Sequence, residues 1–372
     1  MKKAKVYFTD LTTTGDTNLL IKLQNLIEKA GIRKINFKDK FTAIKLHFGE
    51  PGNLAFLRPN FARVLIDEIK NLGGKPFVTD CNTLYVGRRK NALDHLDAAY
   101  ENGYNPFSLG CHVIIGDGLK GTDETIVRIN QEFVKEAKIG TAIMDADIFI
   151  SLSHFKGHEA AGFGGAIKNI GMGCGSRAGK MEMHSAGKPS VIKERCVGCK
   201  QCVKNCAQDA ISFTEEKKAV IDEDDCVGCG RCIGNCNYDA IQPIWSEKND
   251  VMNKKMAEYT KAVLDDRPSF HVSLVIDVSP YCDCYSKNDL PIINDVGMFA
   301  SFDPVALDKA CADAANKQPL LQNSILAEKT SSDFCEKDYF HLLHPDTNWE
   351  ICLEHAEKIG LGTQDYELIT VK

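Results

Sequence analysis

Residues 41–80 read FTAIKLHFGEPGNLAFLRPNFARVLIDEIKNLGGKPFVTD, and their hydrophobic period changes twice. FTAIKLHFG is a short run rich in β-sheet formers and bounded by a Gly/Pro turn. FLRPNFARVLIDEIKNLGG repeats its apolar residues at helical spacing and stops at two glycines, and KPFVTD returns to a short strand. A strand–helix–strand unit of this kind predicts a parallel sheet covered by helices.

The same pattern extends in both directions. Upstream, AKVYFTD (4–10) reads as a strand, and LLIKLQNLIEKAG (19–31) reads as an amphipathic helix ending at Gly31. Downstream, HVIIGD (112–117), TIVRI (125–129) and DIFISLSHF (147–155) read as further strands. Beyond residue 245, SFHVSLVIDV (269–278) is a strand, while DPVALDKACADAAN (303–316) and WEICLEHAEKIGLG (349–362) are helices. The chain is therefore expected to be α/β, a largely parallel sheet flanked by helices, built from residues 1–189 and 246–372.

Residues 190–245 follow a different rule. Cys196, Cys199, Cys202, Cys206 and Cys226, Cys229, Cys232, Cys236 form two runs, each spaced Cys-x2-Cys-x2-Cys-x3-Cys. This is the spacing of a bacterial ferredoxin with two 4Fe-4S clusters, in which the fourth cysteine of each run ligates the other cluster. The assignment is Cys196, Cys199, Cys202 with Cys236, and Cys226, Cys229, Cys232 with Cys206. CVGCKQCVKNCAQDAI and CVGCGRCIGNCNYDAI agree at ten of sixteen positions, as duplicated half-domains would. Between them, AISF and KAVID flank the polar turn TEEKK and predict a hairpin. A disulfide framework or paired zinc sites also use close cysteines. The first needs a secreted chain, and the second leaves the three-then-one grouping without a purpose. The proline usual after the fourth cysteine is replaced by Ala207 and Asn237, which bears on potential and leaves ligation untouched. An inserted α+β two-cluster ferredoxin-like domain is expected here, with three domains in series as the alternative.

Composition narrows the function. The chain has 372 residues, 44% hydrophobic and 26% charged, with a formal net charge of −6. It is long enough for large cores and carries no basic excess for a nucleic-acid grip. The N-terminus lacks the apolar stretch and cleavage site of a secretory signal, and no segment has eighteen uninterrupted apolar residues. A cytoplasmic protein with neither membrane nor nucleic-acid partners is expected. Its sixteen cysteines should then be thiols or metal ligands. Cys81, Cys111, Cys311, Cys335 and Cys352 follow no spacing and read as core.

The segment 153–184, SHFKGHEAAGFGGAIKNIGMGCGSRAGKMEMH, follows a strand directly and concentrates reactive groups among glycines. In an α/β sheet ligands bind beyond the carboxyl ends of strands, so His154, Lys156, His158, Lys168 and His184 are candidate site residues. His47, in KLHFGEPGN at another strand end, joins them. Lys156 and Lys168 can neutralise a carboxylate or phosphate, or act as acids if burial lowers their pKa. Gly157 argues against a helical zinc pair of His154 and His158. GFGGAIKNIG lacks the dinucleotide-binding register. In PYCDCY (280–285), an extended chain would set Cys282 and Cys284 on one side, where they can share an additional metal or face the insert. Asp277 and Asp295 are near in sequence. In NDVGMFASFDPVALD, Ser301 or Asp303 is expected to cap the helix that starts at Pro304.

Taken together, KLHFGEPGN, SHFKGHEAAGFGGAIKNIGMG, GKMEMH and DVGMFASFDPVALD resemble the uncharacterised iron-sulfur centre proteins, catalogued as a domain of unknown function. The resemblance runs from about His47 to the helix at Asp303. It implies a ferredoxin-type module interrupting an α/β domain and assigns no reaction. The function expected is an iron-sulfur oxidoreductase relaying low-potential electrons through two 4Fe-4S clusters to a site in the α/β body. A redox partner protein, a small-molecule acceptor or an additional bound metal or ligand would complete it. The alternatives are a non-enzymatic electron carrier or reductive activator, and an iron-sulfur sensor.

Overall fold

The computed structural model describes residues 3–184, 188–329 and 338–372. Sixteen strands are defined among them. They are β1 Ala4–Thr9, β2 Phe41–Lys45, β3 Lys75–Asp80, β4 His112–Ile115, β5 Glu124–Arg128, β6 Glu136–Gly140, β7 Ile148–His154, β8 Lys156–His158 and β9 Gly162–Gly164. These are followed by β10 Pro189–Val191, β11 Ile211–Phe213, β12 Ala219–Ile221, β13 Ile241–Pro243, β14 Ser269–Val275, β15 Gly297–Ser301 and β16 Tyr366–Thr370. Eight form the main sheet in the order β16-β1-β15-β14-β7-β2-β3-β4. Every pairing in it is parallel except those of β15 with β1 and β14. The protein is thus α/β, as the 41–80 stretch predicts, with one antiparallel strand interposed.

Alternation along the strands supplies both faces. Ile44, Ile150, Val272, Leu274 and Met298 enter one core with Leu23, Leu26, Leu65 and Ile66 from the helices Leu19–Ala30 and Pro59–Asn71. Ala43 and Phe149 face the helix Asn249–Leu264, while Val275 and Phe299 face the helix Pro304–Asn316. Burying each large apolar side chain stabilises the fold by roughly 1.5–3 kcal/mol. Asp303 accepts from the amides of Val305 and Ala306 and caps the latter helix, with Pro304 at its first turn.

TIVRI lies outside the main sheet, because β5 pairs antiparallel with β6. Strands β10 to β13 pair only among themselves, β10 with β13 and β11 with β12. The last two form the hairpin anticipated around TEEKK. The two cysteine runs each enter a single helical turn, Gln201–Lys204 and Arg231–Gly234. Their buried members, Cys196, Cys202, Cys232 and Cys236, share a small core with Ile211, Ile233 and Ile241, and with Leu84 and Met181 from the main body. Cys81, Cys111, Cys311 and Cys352 are buried. Cys335 lies outside the described residues.

Candidate functional site

The strand order of the main sheet reverses between β2 and β7. From there β2, β3 and β4 step outward to one side, and β7 and β14 to the other. A crevice opens beyond the carboxyl ends of strands at such a switch point. Here it is a cavity of about 760 Å³, and its wall contains His47, His154, Lys156, His158, Lys168, His184, Cys282 and Cys284. Eight groups scattered over more than two hundred residues of sequence therefore share one space.

Asn169 holds the crevice together. Its side-chain amide donates to the carbonyls of Lys45 on β2 and Leu152 on β7, at 3.1 and 3.2 Å, and its oxygen accepts from Lys45 Nζ at 2.9 Å. Lys45 also pairs with Asp80 at the end of β3, at 2.9 Å. His47 Nε2 accepts from Arg89 Nη1 at 2.8 Å, and Arg89 in turn donates to Glu50 at 2.8 Å. Burial, with Arg89 and three lysines nearby, holds the His47 pKa well below the ordinary value, so the ring is neutral. His184 ends the helix Arg177–His184, packs edge-on to Trp245 at 4.8 Å, and is pushed down to about 3 by burial.

The sulfur-bearing wall is formed by the loop after β14. The Tyr285 amide donates to the Cys282 carbonyl at 3.2 Å, so residues 282–285 make a turn rather than the extended chain expected from the sequence. The turn still brings the sulfurs together, because Cys282 and Cys284 flank Asp283, whose side chain is anchored elsewhere. Both carboxylate oxygens of Asp283 lie 2.9 Å from His154 Nδ1, and one lies 3.3 Å from Lys156 Nζ. Burial opposes the Asp283 charge, but His154 and Lys156 hold it well below the carboxylate range. His154 Nε2 meets the Ile276 carbonyl at 2.8 Å. Both of its ring nitrogens thus face oxygen atoms.

Lys168 Nζ lies 3.7 Å from Cys282 Sγ. A hydrogen bond from Cys284 holds the Cys282 thiol down to about 5 against burial, helped by Lys168 and Lys156, while Cys284 is raised by the same bond. The lowering favours the thiolate form of Cys282. Burial alone would lower the pKa of the lysines. For Lys168 the direction is upward, because Cys282, Cys284, Glu159 and Asp283 outweigh the cost of burial. A ring nitrogen of His158 and the sulfurs of Cys282 and Cys284 all lie within 4.8 Å of one another, a group of the size that can hold one metal ion. His154 and His158 belong to successive strands, so no helical pair exists. Asp277 accounts for Asp295, whose carboxylate accepts from the Asp277 amide at 2.7 Å.

Several wall residues carried no sequence signal of their own. Arg89 lies in a loop, and Tyr285 and Trp245 look like ordinary aromatics. Lys45 and Asp80 were findable, since both end strands of the opening stretch. The cysteine runs lie outside the large cavity. A separate void of about 20 Å³ is lined by Cys196, Cys199, Cys202 and Cys236, with Phe213, Tyr238 and Ile241. No disulfide joins any described cysteine, and no helix among the described residues is long and apolar enough to cross a membrane.

Among solved structures, the chain is similar to the lactate racemase apoprotein from Thermoanaerobacterium thermosaccharolyticum, at 13% identity and a TM-score of 0.39, over 73% of this chain and 51% of that one. It is also similar to a protein from Thermotoga maritima, at 12% identity and a TM-score of 0.38, over 82% of this chain and 59% of that one. The chain thus spans between half and three-fifths of the length of these structures. No curated protein matches its sequence. A family model described as a domain of unknown function (DUF362) matches residues 42–313, from β2 through the switch point and the cysteine-bearing loop to the helix beyond β15, and the chain is a member of that family.

Proposed function

We propose that this protein is an iron-sulfur oxidoreductase in which two 4Fe-4S clusters serve a small-molecule site in the large cavity. The observation that carries this reading is the shared wall. Arg195, adjacent to Cys196, and Gln242, Pro243 and Trp245, at the end of the cysteine-rich segment, face the same space as Lys168, His158, Cys282 and Cys284.

The donor set fits the clusters. The void of about 20 Å³ is bordered by three cysteines of the first run and the last of the second, the swapped combination expected for Cys196, Cys199, Cys202 and Cys236. By the same pattern, Cys226, Cys229, Cys232 and Cys206 hold the second cluster. The amides of Ala219 and Ala240 approach Cys196 and Cys236 sulfur at 3.4 and 3.3 Å, contacts of the kind that tune cluster potential. Such clusters, when bound, supply single electrons at low potential.

The protein's own residues do the remaining work. Lys90 donates to the Cys236 carbonyl at 3.0 Å and pairs with Asp239, and Lys120 donates to Asn235. These bonds fix the cysteine-rich segment to the body and set the distance an electron must cross. Exposed Val197, Val227 and Tyr238 offer an apolar face where a redox partner can dock. Inside the cavity, Lys168 and Lys156 orient a carboxylate or phosphate group. A cytoplasmic setting agrees with the free cysteines.

The test is metal analysis and electron paramagnetic resonance of anaerobically prepared protein. Roughly eight irons and eight sulfides per chain are expected, with signals that appear on dithionite reduction. Stoichiometric zinc in their place would overturn the reading.

A further inference from the structure

We infer that Cys282 and Cys284 form a redox-active dithiol that stores electrons in pairs at the cavity wall and exchanges with a small organic disulfide. This inference rests on the proposed electron relay for its supply of reducing equivalents.

Geometry decides between this role and a metal site. The two sulfurs lie within 4.8 Å of each other at the ends of a turn closed by the Tyr285 amide. The turn is pinned at its centre by Asp283, held by His154 and Lys156. Rotation about the side-chain bonds can bring the sulfurs to the ~2.05 Å of a disulfide. The third member of the group, His158, has no lone pair to offer a cation. Its Nδ1 accepts from the Ala160 and Ala161 amides at 3.0 and 3.1 Å, which places the proton of the neutral ring on Nε2. Two thiols remain, half of the usual set for a structural zinc. The remaining N–H of the neutral His158 ring is a hydrogen-bond donor and not a metal ligand. Lys168, 3.7 Å from Cys282 Sγ, stabilises the thiolate that starts disulfide exchange.

The chemistry balances. In the reductive step the Cys282–Cys284 S–S bond accepts two electrons, one at a time from a low-potential one-electron donor, and one proton. Its products are Cys282 thiolate and Cys284 thiol. In the oxidative step the thiolate attacks an organic disulfide R–S–S–R and releases RS⁻. Cys284 then closes on the mixed disulfide and releases the second half as RSH, and the Cys282–Cys284 bond is restored.

The test uses anaerobic holoprotein equilibrated in mixtures of oxidised and reduced dithiothreitol. After acid quenching and alkylation, mass spectrometry follows the peptide carrying both residues. It is expected to lose both alkyl labels at the oxidised end and regain both together. Two labels at every ratio would overturn the inference, as would one non-iron metal per chain that is lost in Cys284→Ser. A second arm reduces the preformed disulfide with dithionite in wild type and in Cys229→Ser, with iron content measured in both. A rate at least tenfold lower in the variant is expected. Equal rates would defeat the relay and leave the dithiol standing.

Discussion

Cys282 is the residue at which the local forces can be separated. The Cys284 hydrogen bond lowers its pKa most, burial opposes, and the two lysines add to the lowering, with a net result of about 5 against an ordinary 9.0. A depressed acid stabilises the fold at pH above its ordinary value and loses that contribution as pH falls through the folded one. The window for Cys282 is therefore between about 9 and about 5. Peptide-resolved iodoacetamide labelling of Cys282 should rise through a midpoint near pH 5. Cys284→Ala should move that midpoint upward more than Lys168→Met does, and a midpoint near 9 in wild type would contradict the account. Asp283→Asn leaves His154 and Lys156 buried without their anion. It should cost roughly 3–5 kcal/mol in denaturant titration, whereas a surface residue would cost almost nothing.

At the scale of elements, two close approaches set the site. The Gly157 amide donates to the Ser279 carbonyl at 2.9 Å, and a Cβ at Gly157 would fall 2.5 Å from the Pro280 carbonyl. β8 can thus lie against the sulfur-bearing loop only with glycine there. Gly157→Ala should lower stability by about 1–3 kcal/mol and slow Cys282 labelling or exchange, read by the same mass spectrometry. Gly230 and Lys200 occupy equivalent places in the two cysteine runs, with φ of +65° and +61°. The exposed Lys200 shows that this backbone accepts a side chain. A Cβ at Gly230 would meet Arg177 Cγ at 3.0 Å, so a side chain there must displace Arg177 where the segment packs against the body. Thermal melts should show Gly230→Lys clearly destabilised and Lys200→Gly unchanged within about 0.5 kcal/mol.

For the whole molecule, the core around the cysteine runs is distinct from the three cores of the main sheet. Iron removal by chelation should therefore abolish protection of residues 190–245 in hydrogen exchange while the main-sheet amides stay protected. Simultaneous loss of both would mean one cooperative unit. Swapped ligation makes a further distinction. Cys236→Ser should remove about half of the iron and leave the Cys226, Cys229, Cys232, Cys206 set loaded, and Cys206→Ser should do the reverse. Loss of the same cluster in both variants, followed by spectroscopy, would reassign the fourth ligands.

The α/β class, the strand-end position of the site and the cysteine spacing were legible in the sequence, because each is written in local periodicity or in gaps of two and three residues. Residues 41–80 carried enough alternation to specify a parallel unit, and Asp303 with Pro304 marked a helix start. Local pattern does not encode which strands become neighbours. The antiparallel β15 entered the sheet through burial against distant partners, and the largely exposed edge strand β16 through backbone pairing with β1; the curled turn at Cys282 replaced the expected extended chain because Asp283 is drawn to His154, 129 residues away. Only the tertiary structure placed Arg89, Tyr285 and Trp245 in the cavity wall and turned the His158 lone pair toward two amides. Those outcomes depend on contacts between elements far apart in the chain, where the energy comes from packing and desolvation and not from the propensities of neighbouring residues.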